Sequence, residues 1–331
     1  MARITNDRDG ESFDCNPDDT ILRAALRAGQ GMPYSCNVGS CGNCRFELIE
    51  GEVVHLRDDA PAWSERDLKR NRWLGCQARP VGDCRVKFRV DPVAVPPAPP
   101  IRREAELLET RKITRDITEF TFAIQGSDDF RPGQYALLSA PGIDGGRAYS
   151  MANLPGEGVW RFMIKRVPGG GATGYLFDSA TPGERISIDG PYGTAWLRQG
   201  EERDILLMAG GSGLSPMVSI ARGARAAGML DNRKLEFFYG CRATPDLFEP
   251  DNVLTPELAK HVHFTAALSE PGEGWTGQTG FLHDVVKATT GERLAQMDIF
   301  FAGPPAMAQA IQLMAHEAGV PQSQLFFDEF Y

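Results

Sequence analysis

Cys36, Cys41 and Cys44 crowd one loop, with four and then two residues between them, and Cys76 follows later. A [2Fe–2S] cluster takes four thiolates, and C-x4-C-x2-C…C is one of its known spacings. A short loop can wrap a cluster only where the backbone bends sharply. Gly39 and Gly42 allow such bends, because glycine reaches positive φ at little steric cost. Successive N–H groups in such a loop point inward and stabilise an anionic cluster. Zinc on the same four thiolates is the competing reading. It is disfavoured because zinc sites of this kind are mostly built from C-x2–4-C pairs.

Further along, Arg147-Ala148-Tyr149-Ser150 follows the turn Asp144-Gly145-Gly146. An aromatic ring can stack on a flavin, a hydroxyl can bond its N5 edge, and a guanidinium can hold a diphosphate bidentately. The basic, glycine-rich run from Lys165 through Val167, Gly171, Ala172 and Thr173 leads into a helix start at Tyr175. Free N–H groups at a helix N-terminus make an anion site, which suits a diphosphate. Gly190-Pro191-Tyr192-Gly193 reads as a third turn beside the cofactor.

Gly210-Gly211-Ser212-Gly213 then sits between a strand and a helix opened by Pro216, the context that makes a glycine loop a phosphate cradle. Arg242 ends the next strand, where an adenosine ribose is read; it could face a 2′-phosphate, whereas Asp246 favours a free 2′-hydroxyl. Gly303 and Pro304 end a later strand and belong near the nicotinamide.

The elements that position these groups fall into three blocks. Residues 1–90 hold a short helix, Ile21 to Ala28, capped by Asp19 or Thr20 and ended by Gly29, with strands at Arg45 to Leu48, Val53-Val54 and Val86 to Val90. Trp73 and Leu74, just before Cys76, either cover the cluster or belong to the core. Half of Asp91 to Pro100 is proline, so residues 91–104 read as a semi-rigid polyproline spacer. Residues 105–200 are strand-rich between Gly/Pro turns, as in a small antiparallel barrel. From 201 to 331 strands and helices alternate, implying a parallel sheet with ligands at the strands' carboxyl ends.

Composition limits the function classes. The net charge of −9 argues against nucleic acid and fits a basic partner surface. No apolar run approaches a membrane span and the N-terminus opens no signal peptide, so a soluble, cytoplasmic protein is expected. Seven cysteines without an export signal favour ligation over disulfides, leaving Cys15, Cys84 and Cys241 as packing thiols.

These segments, in this order, resemble the ferredoxin–NADP⁺ reductase superfamily. Within it they are most similar to the single-chain reductases of bacterial aromatic oxygenase systems, such as those of carbazole and naphthalene dioxygenases and toluene monooxygenases. The resemblance implies a multi-domain α+β and α/β fold: a β-grasp plant-type ferredoxin domain, an antiparallel β-barrel FAD domain and a parallel-sheet α/β NAD domain. It implies FAD, a [2Fe–2S] cluster and NADH as cofactors, with Tyr149 and Ser150 at the flavin ring and an aromatic tail whose Tyr331 or Phe330 could stack on it. Where the superfamily often has cysteine near the nicotinamide, this chain has Ala302. The implied acceptor is a terminal oxygenase or hydroxylase, or a separate small ferredoxin, served by a monomer. The alternative is reduction of free flavin or a small acceptor. The cluster loop's outward face, with Asn37, Val38, Ser40, Glu47 and Glu50, is expected to meet the acceptor.

Overall fold

The computed structural model describes residues 1–200 and 202–329. The first block has β1 (Ala2–Asn6), β2 (Ser12–Cys15), α1 (Ile21–Arg27), β3 (Arg45–Glu50), β4 (Val53–His55), α2 (Glu65–Lys69), β5 (Arg72–Leu74), β6 (Ala78–Pro80) and β7 (Cys84–Lys87). The main sheet runs β2-β1-β7-β3-β5, with β1 and β7 parallel and the other pairs antiparallel. Helix α1 forms because Ile21, Leu22, Ala25 and Leu26 make one apolar face, all of them buried. No side-chain hydrogen bond caps it at Thr20, and the Asp19 carboxylate pairs with Arg27 instead. Cys15 and Cys84 are buried in this core, as expected of packing thiols.

The proline stretch is not a free extended spacer. Pro92–Ala94 forms a 3-10 turn, Asp91 caps it through Val93 N–H at 2.9 Å, and Ala94 packs into the first core. Asp91 N–H also donates to Gly31 O at 2.8 Å. Proline's fixed φ suits a helical first position, so the ring that forbids a sheet ladder still permits this turn.

The second block has β8 (Ile101–Lys112), β9 (Ile117–Ala123), β10 (Tyr135–Ser139), β11 (Arg147–Ser150), β12 (Val159–Lys165), α3 (Gly171–Asp178) and β13 (Arg185–Tyr192). Strand β8 therefore starts inside the stretch expected to be spacer. The antiparallel sheet runs β11-β10-β13-β8-β9-β12, and a bridge from Met151 to Phe162 brings its two edges together as a barrel. Gly190-Pro191-Tyr192 is strand, not turn: it ends β13, paired to β8 at Gly190 and to β10 at Tyr192.

The third block has β14 (Ile205–Gly210), α4 (Leu214–Ala226), β15 (Leu235–Cys241), α5 (Pro250–Val253), α6 (Pro256–Ala259), β16 (Val262–Leu268), β17 (Gln278–Thr279), α7 (Leu282–Thr290), β18 (Asp298–Ala302), α8 (Pro305–Glu317) and β19 (Leu325–Phe326). Every pair in the sheet β17-β16-β15-β14-β18-β19 is parallel. Chain order reverses between β14 and β18, which opens a crevice at their carboxyl ends. Among the described residues no helix is long and apolar enough to cross a membrane.

Trp160 anchors the barrel core. It is fully buried, meets Phe130 edge-on at 6.1 Å and donates its indole N–H to Asp128 O at 3.1 Å. Trp160→Ala is expected to cost the barrel about 3–5 kcal/mol. A urea titration followed by release of flavin fluorescence checks this, and an unchanged midpoint would refute it.

Candidate functional site

The cluster loop folds around sulfur. The N–H groups of Val38, Ser40 and Cys41 all reach Cys36 Sγ, at 3.4, 3.3 and 3.4 Å. Gly39 and Gly42 have φ of 87° and 81°, as the bends require. The four thiols fall into two pairs: Cys36 bonds to Cys41, and Cys44 Sγ lies 3.4 Å from Cys76 Sγ. The Cys41 thiol and those backbone donors hold the Cys36 thiol below its ordinary value, although burial opposes them. Among the described residues no three His, Cys, Asp or Glu side chains converge on one ion. Two thiol pairs suit two irons, one pair to each, whereas zinc needs four ligands around one point. The residues present therefore fit a [2Fe–2S] cluster.

Asn37 corrects the expected outward face. It is buried at φ 56°, and its side-chain and backbone oxygens both accept from Arg23 at 3.2 Å. Val38 and Ser40 are half-buried, and Glu50 is exposed but paired with Arg85. Trp73 is half-buried in an aromatic group in which Trp63 stacks on His55 with centroids 4.1 Å apart and lies 5.2 Å from Trp73.

A second site is a cleft of roughly 500 Å³ between the barrel and the parallel sheet. Its barrel wall includes Ala148, Tyr149, Ser150 and Lys165, and its sheet wall includes Gly210, Gly211, Ser212, Gly213, Arg242, Gly303 and Pro304. Asp116, Met163, Ser269, Phe281 and Met307 also line it. Sequence reading missed these five, and only Met307, one turn beyond Gly303-Pro304, carried a local signal. Ala302 and Cys241 lie on the same wall, so Cys241 is not simply a core thiol.

Helix α4 sets the cleft's width. Ser215 Oγ donates to Ser150 O at 2.7 Å and accepts from Met163 N–H at 3.1 Å. Ser219 and Arg222 donate to Asn153 O and Ala152 O, at 2.8 and 3.0 Å. Burial pushes the Tyr149 phenol up to about 12, so it stays protonated. Lys165 Nζ pairs with Asp116 at 3.1 Å, and Asp246 pairs with Arg115 at 2.7 Å, with Arg242 4.0 Å away.

The expected diphosphate loop is placed differently. Arg147, Val167, Gly171, Ala172 and Thr173 are not part of the cleft lining. The Arg147 guanidinium donates to the carbonyls of Asp144, Gly145 and Gly146. The Thr173 hydroxyl holds the loop through Val167 and Gly170. The first turn of α3 still directs the N–H groups of Gly171, Ala172 and Thr173 out of the helix, which suits a diphosphate. Tyr331 and Phe330 lie outside the described residues.

Comparison with known proteins decides what these sites serve. Residues 4–81 match the 2Fe-2S iron-sulfur cluster binding domain, residues 104–196 the oxidoreductase FAD-binding domain and residues 207–313 the oxidoreductase NAD-binding domain. The chain is 40% identical over 321 residues to ferredoxin–NAD(P)(+) reductase CarAd of Metapseudomonas resinovorans, covering 96% of each chain. It belongs to the ferredoxin–NAD(P)⁺ reductase family. It is 38% identical to the ferredoxin–NAD(+) reductase component of the alkene monooxygenase system of Xanthobacter autotrophicus, over 97% of this chain and 98% of that one. The solved ferredoxin reductase of carbazole 1,9a-dioxygenase superposes with a TM-score of 0.92 at 35% identity, covering 100% of this chain and 98% of that one. This reductase is thus an oxidoreductase that moves electrons from a nicotinamide nucleotide through FAD to a [2Fe–2S] cluster.

Gly213, in the turn between β14 and α4, lies against the end of β18. A Cβ there would lie 2.0 Å from Ala302 O, so backbone must shift. Gly213→Ala is expected to cost about 1–3 kcal/mol of strain at the cleft. It should raise the KM for NADH while flavin content stays full, and an unchanged KM would refute the placement.

Proposed function

We propose that the chain is the NADH-dependent reductase component of a multicomponent oxygenase, handing single electrons from its cluster to a terminal oxygenase or a separate small ferredoxin. The observation that carries this reading is the file of sites. The cleft opens on Tyr149 and Ser150, and Tyr135, opposite Ser150 in the β10–β11 register, donates its hydroxyl to Ser35 O beside Cys36. The names of its relatives support the acceptor class, for they serve carbazole dioxygenase, alkene monooxygenase and naphthalene dioxygenase systems.

FAD held there would supply the conversion of the nicotinamide's electron pair into the single electrons that a one-electron cluster requires. The chain's own residues bind and orient. Arg147, Lys165, Val167, Gly171, Ala172 and Thr173 hold FAD, the last three through backbone N–H groups. Ala148, Tyr149 and Ser150 form the wall against the ring, with Tyr149 and Ser150 at the reacting edge. Gly210, Gly211, Ser212, Gly213, Arg242, Gly303 and Pro304 take the nucleotide. Cys36 and Cys41 would hold one iron, and Cys44 and Cys76 the other. Tyr331 completes the expected set from outside the described residues. A soluble cytoplasmic monomer is the form proposed.

Two outcomes test this. Cys76→Ser should remove the [2Fe–2S] absorption and electron delivery to a protein acceptor while NADH still reduces the flavin at its normal rate. A full cluster spectrum in that variant would overturn the ligand set. Asp246 would account for an NADH preference, because on the cleft wall it engages Arg115 and Arg242, the guanidiniums that could otherwise hold a 2′-phosphate. Asp246→Asn is expected to raise the NADPH-to-NADH ratio of kcat/KM by about tenfold or more. An unchanged ratio would contradict that role.

A further inference from the structure

Arg27, at the end of α1, ties three parts of the chain together. Its Nη1 and Nη2 donate to Asp189 Oδ1 and Oδ2 at 3.0 and 2.7 Å, and Nε donates to Asp19 at 2.7 Å. The same Nη1 donates to Pro100 O at 2.7 Å, where the proline stretch enters β8. Asp189 lies in the barrel strand β13, with its side chain 8% exposed. Burial works to raise its carboxyl, and the Arg27 guanidinium overrides this and holds it below the usual carboxylate range. Arg102 backs the pair, with Nε 3.7 Å from Asp189 and Nη1 2.6 Å from Asp18.

Beyond Asp189 the same strand reaches the cluster loop. Gly193 N–H donates to the Tyr34 hydroxyl at 2.8 Å. Only glycine fits there: its φ is 103°, and a Cβ would lie 2.7 Å from Asp328 Oδ2. Tyr135 donates to Ser35 O, and Glu329 N–H donates to Ser35 Oγ at 2.7 Å. Tyr34 and Ser35, the two residues before Cys36, are thereby held from the barrel and from the C-terminal segment. Tyr135, Leu137 and Tyr192 belong to the same buried cluster as the core of the first block.

We infer that Arg27 and Asp189 are positioning residues for the flavin-to-cluster electron step, fixing the ferredoxin domain on the barrel so that this step runs without a domain swing. The inference rests on the proposed relay and deepens it. The step moves one electron from the NADH-reduced flavin to the cluster and makes or breaks no bond. Arg27 touches neither group, so its effect passes through placement alone. The guanidinium fork matters because its planar donors match both carboxylate oxygens, which an ammonium cannot do.

The test uses the full chain loaded with FAD and cluster. Anaerobic rapid mixing with NADH resolves flavin reduction from cluster reduction. Arg27→Gln and Asp189→Asn should leave flavin reduction unchanged and slow cluster reduction by about tenfold to a hundredfold. Arg27→Lys should fall between Arg27→Gln and wild type, and the double variant should be no slower than Arg27→Gln, since Asp189→Asn removes a contact that Arg27→Gln has already removed. Small-angle X-ray scattering gives a readout independent of turnover: wild type should be compact, and Arg27→Gln should show a larger radius of gyration. Wild-type cluster reduction and scattering in Arg27→Gln would overturn the inference. If that variant does not fold, Arg27→Lys at the wild-type internal rate does the same. Wild-type protein that holds no cluster or flavin would instead overturn the relay itself.

Discussion

The Cys36 sulfur accepts three backbone N–H groups, and most of the surrounding architecture serves that contact. Charge on buried sulfur is costly unless donors surround it. The donors can point inward only if the loop bends backward at Asn37, Gly39 and Gly42, all at positive φ. Glycine takes that conformation freely. Asn37 is braced in it by Arg23, a residue of α1. The helix that braces the loop also carries Arg27, so one short element both shapes the cluster site and anchors it to the barrel.

The same economy holds at the cleft. Helix α4 follows the glycine loop directly, and its Ser215, Ser219 and Arg222 grip the barrel at residues 150, 153 and 152. The barrel strand end that lines the cleft is therefore held by the helix that follows the glycine loop on its other wall. Three hydrogen bonds to backbone carbonyls thus tie the two walls of the cleft together. Breaking the buried Arg27–Asp189 pair would leave a shielded carboxylate short of its main partner, at a cost of about 3–5 kcal/mol.

Local features of both sites were legible in the sequence. Cysteine spacing and the two loop glycines mark the loop that folds around the Cys36 sulfur, and strand–glycine–helix order marks the loop that lines the cleft. Helix α1 starts at Ile21, where its apolar pattern implies. What failed to show was long-range. Gly190-Pro191-Tyr192 looked like a turn because proline and glycine usually mark one, yet pairing to β8 and β10 makes it strand. The proline stretch looked extended because nothing local announced that Ala94 would be buried. Asn37 looked like a surface loop residue because its partner is a helix arginine 14 residues earlier. The Arg27–Asp189 contact spans 162 residues, and no periodicity or spacing encodes it.

The residue before Cys36 accepts from Tyr135, which pairs with the cleft strand at Ser150 within one chain. The direct measurement is anaerobic rapid mixing of the loaded protein with NADH over a wide range of protein concentration. Flavin absorbance should fall first, and the cluster signal should follow at a rate independent of protein concentration. A cluster rate that rises in proportion to protein concentration would show electrons passing between molecules, and would contradict transfer within one chain.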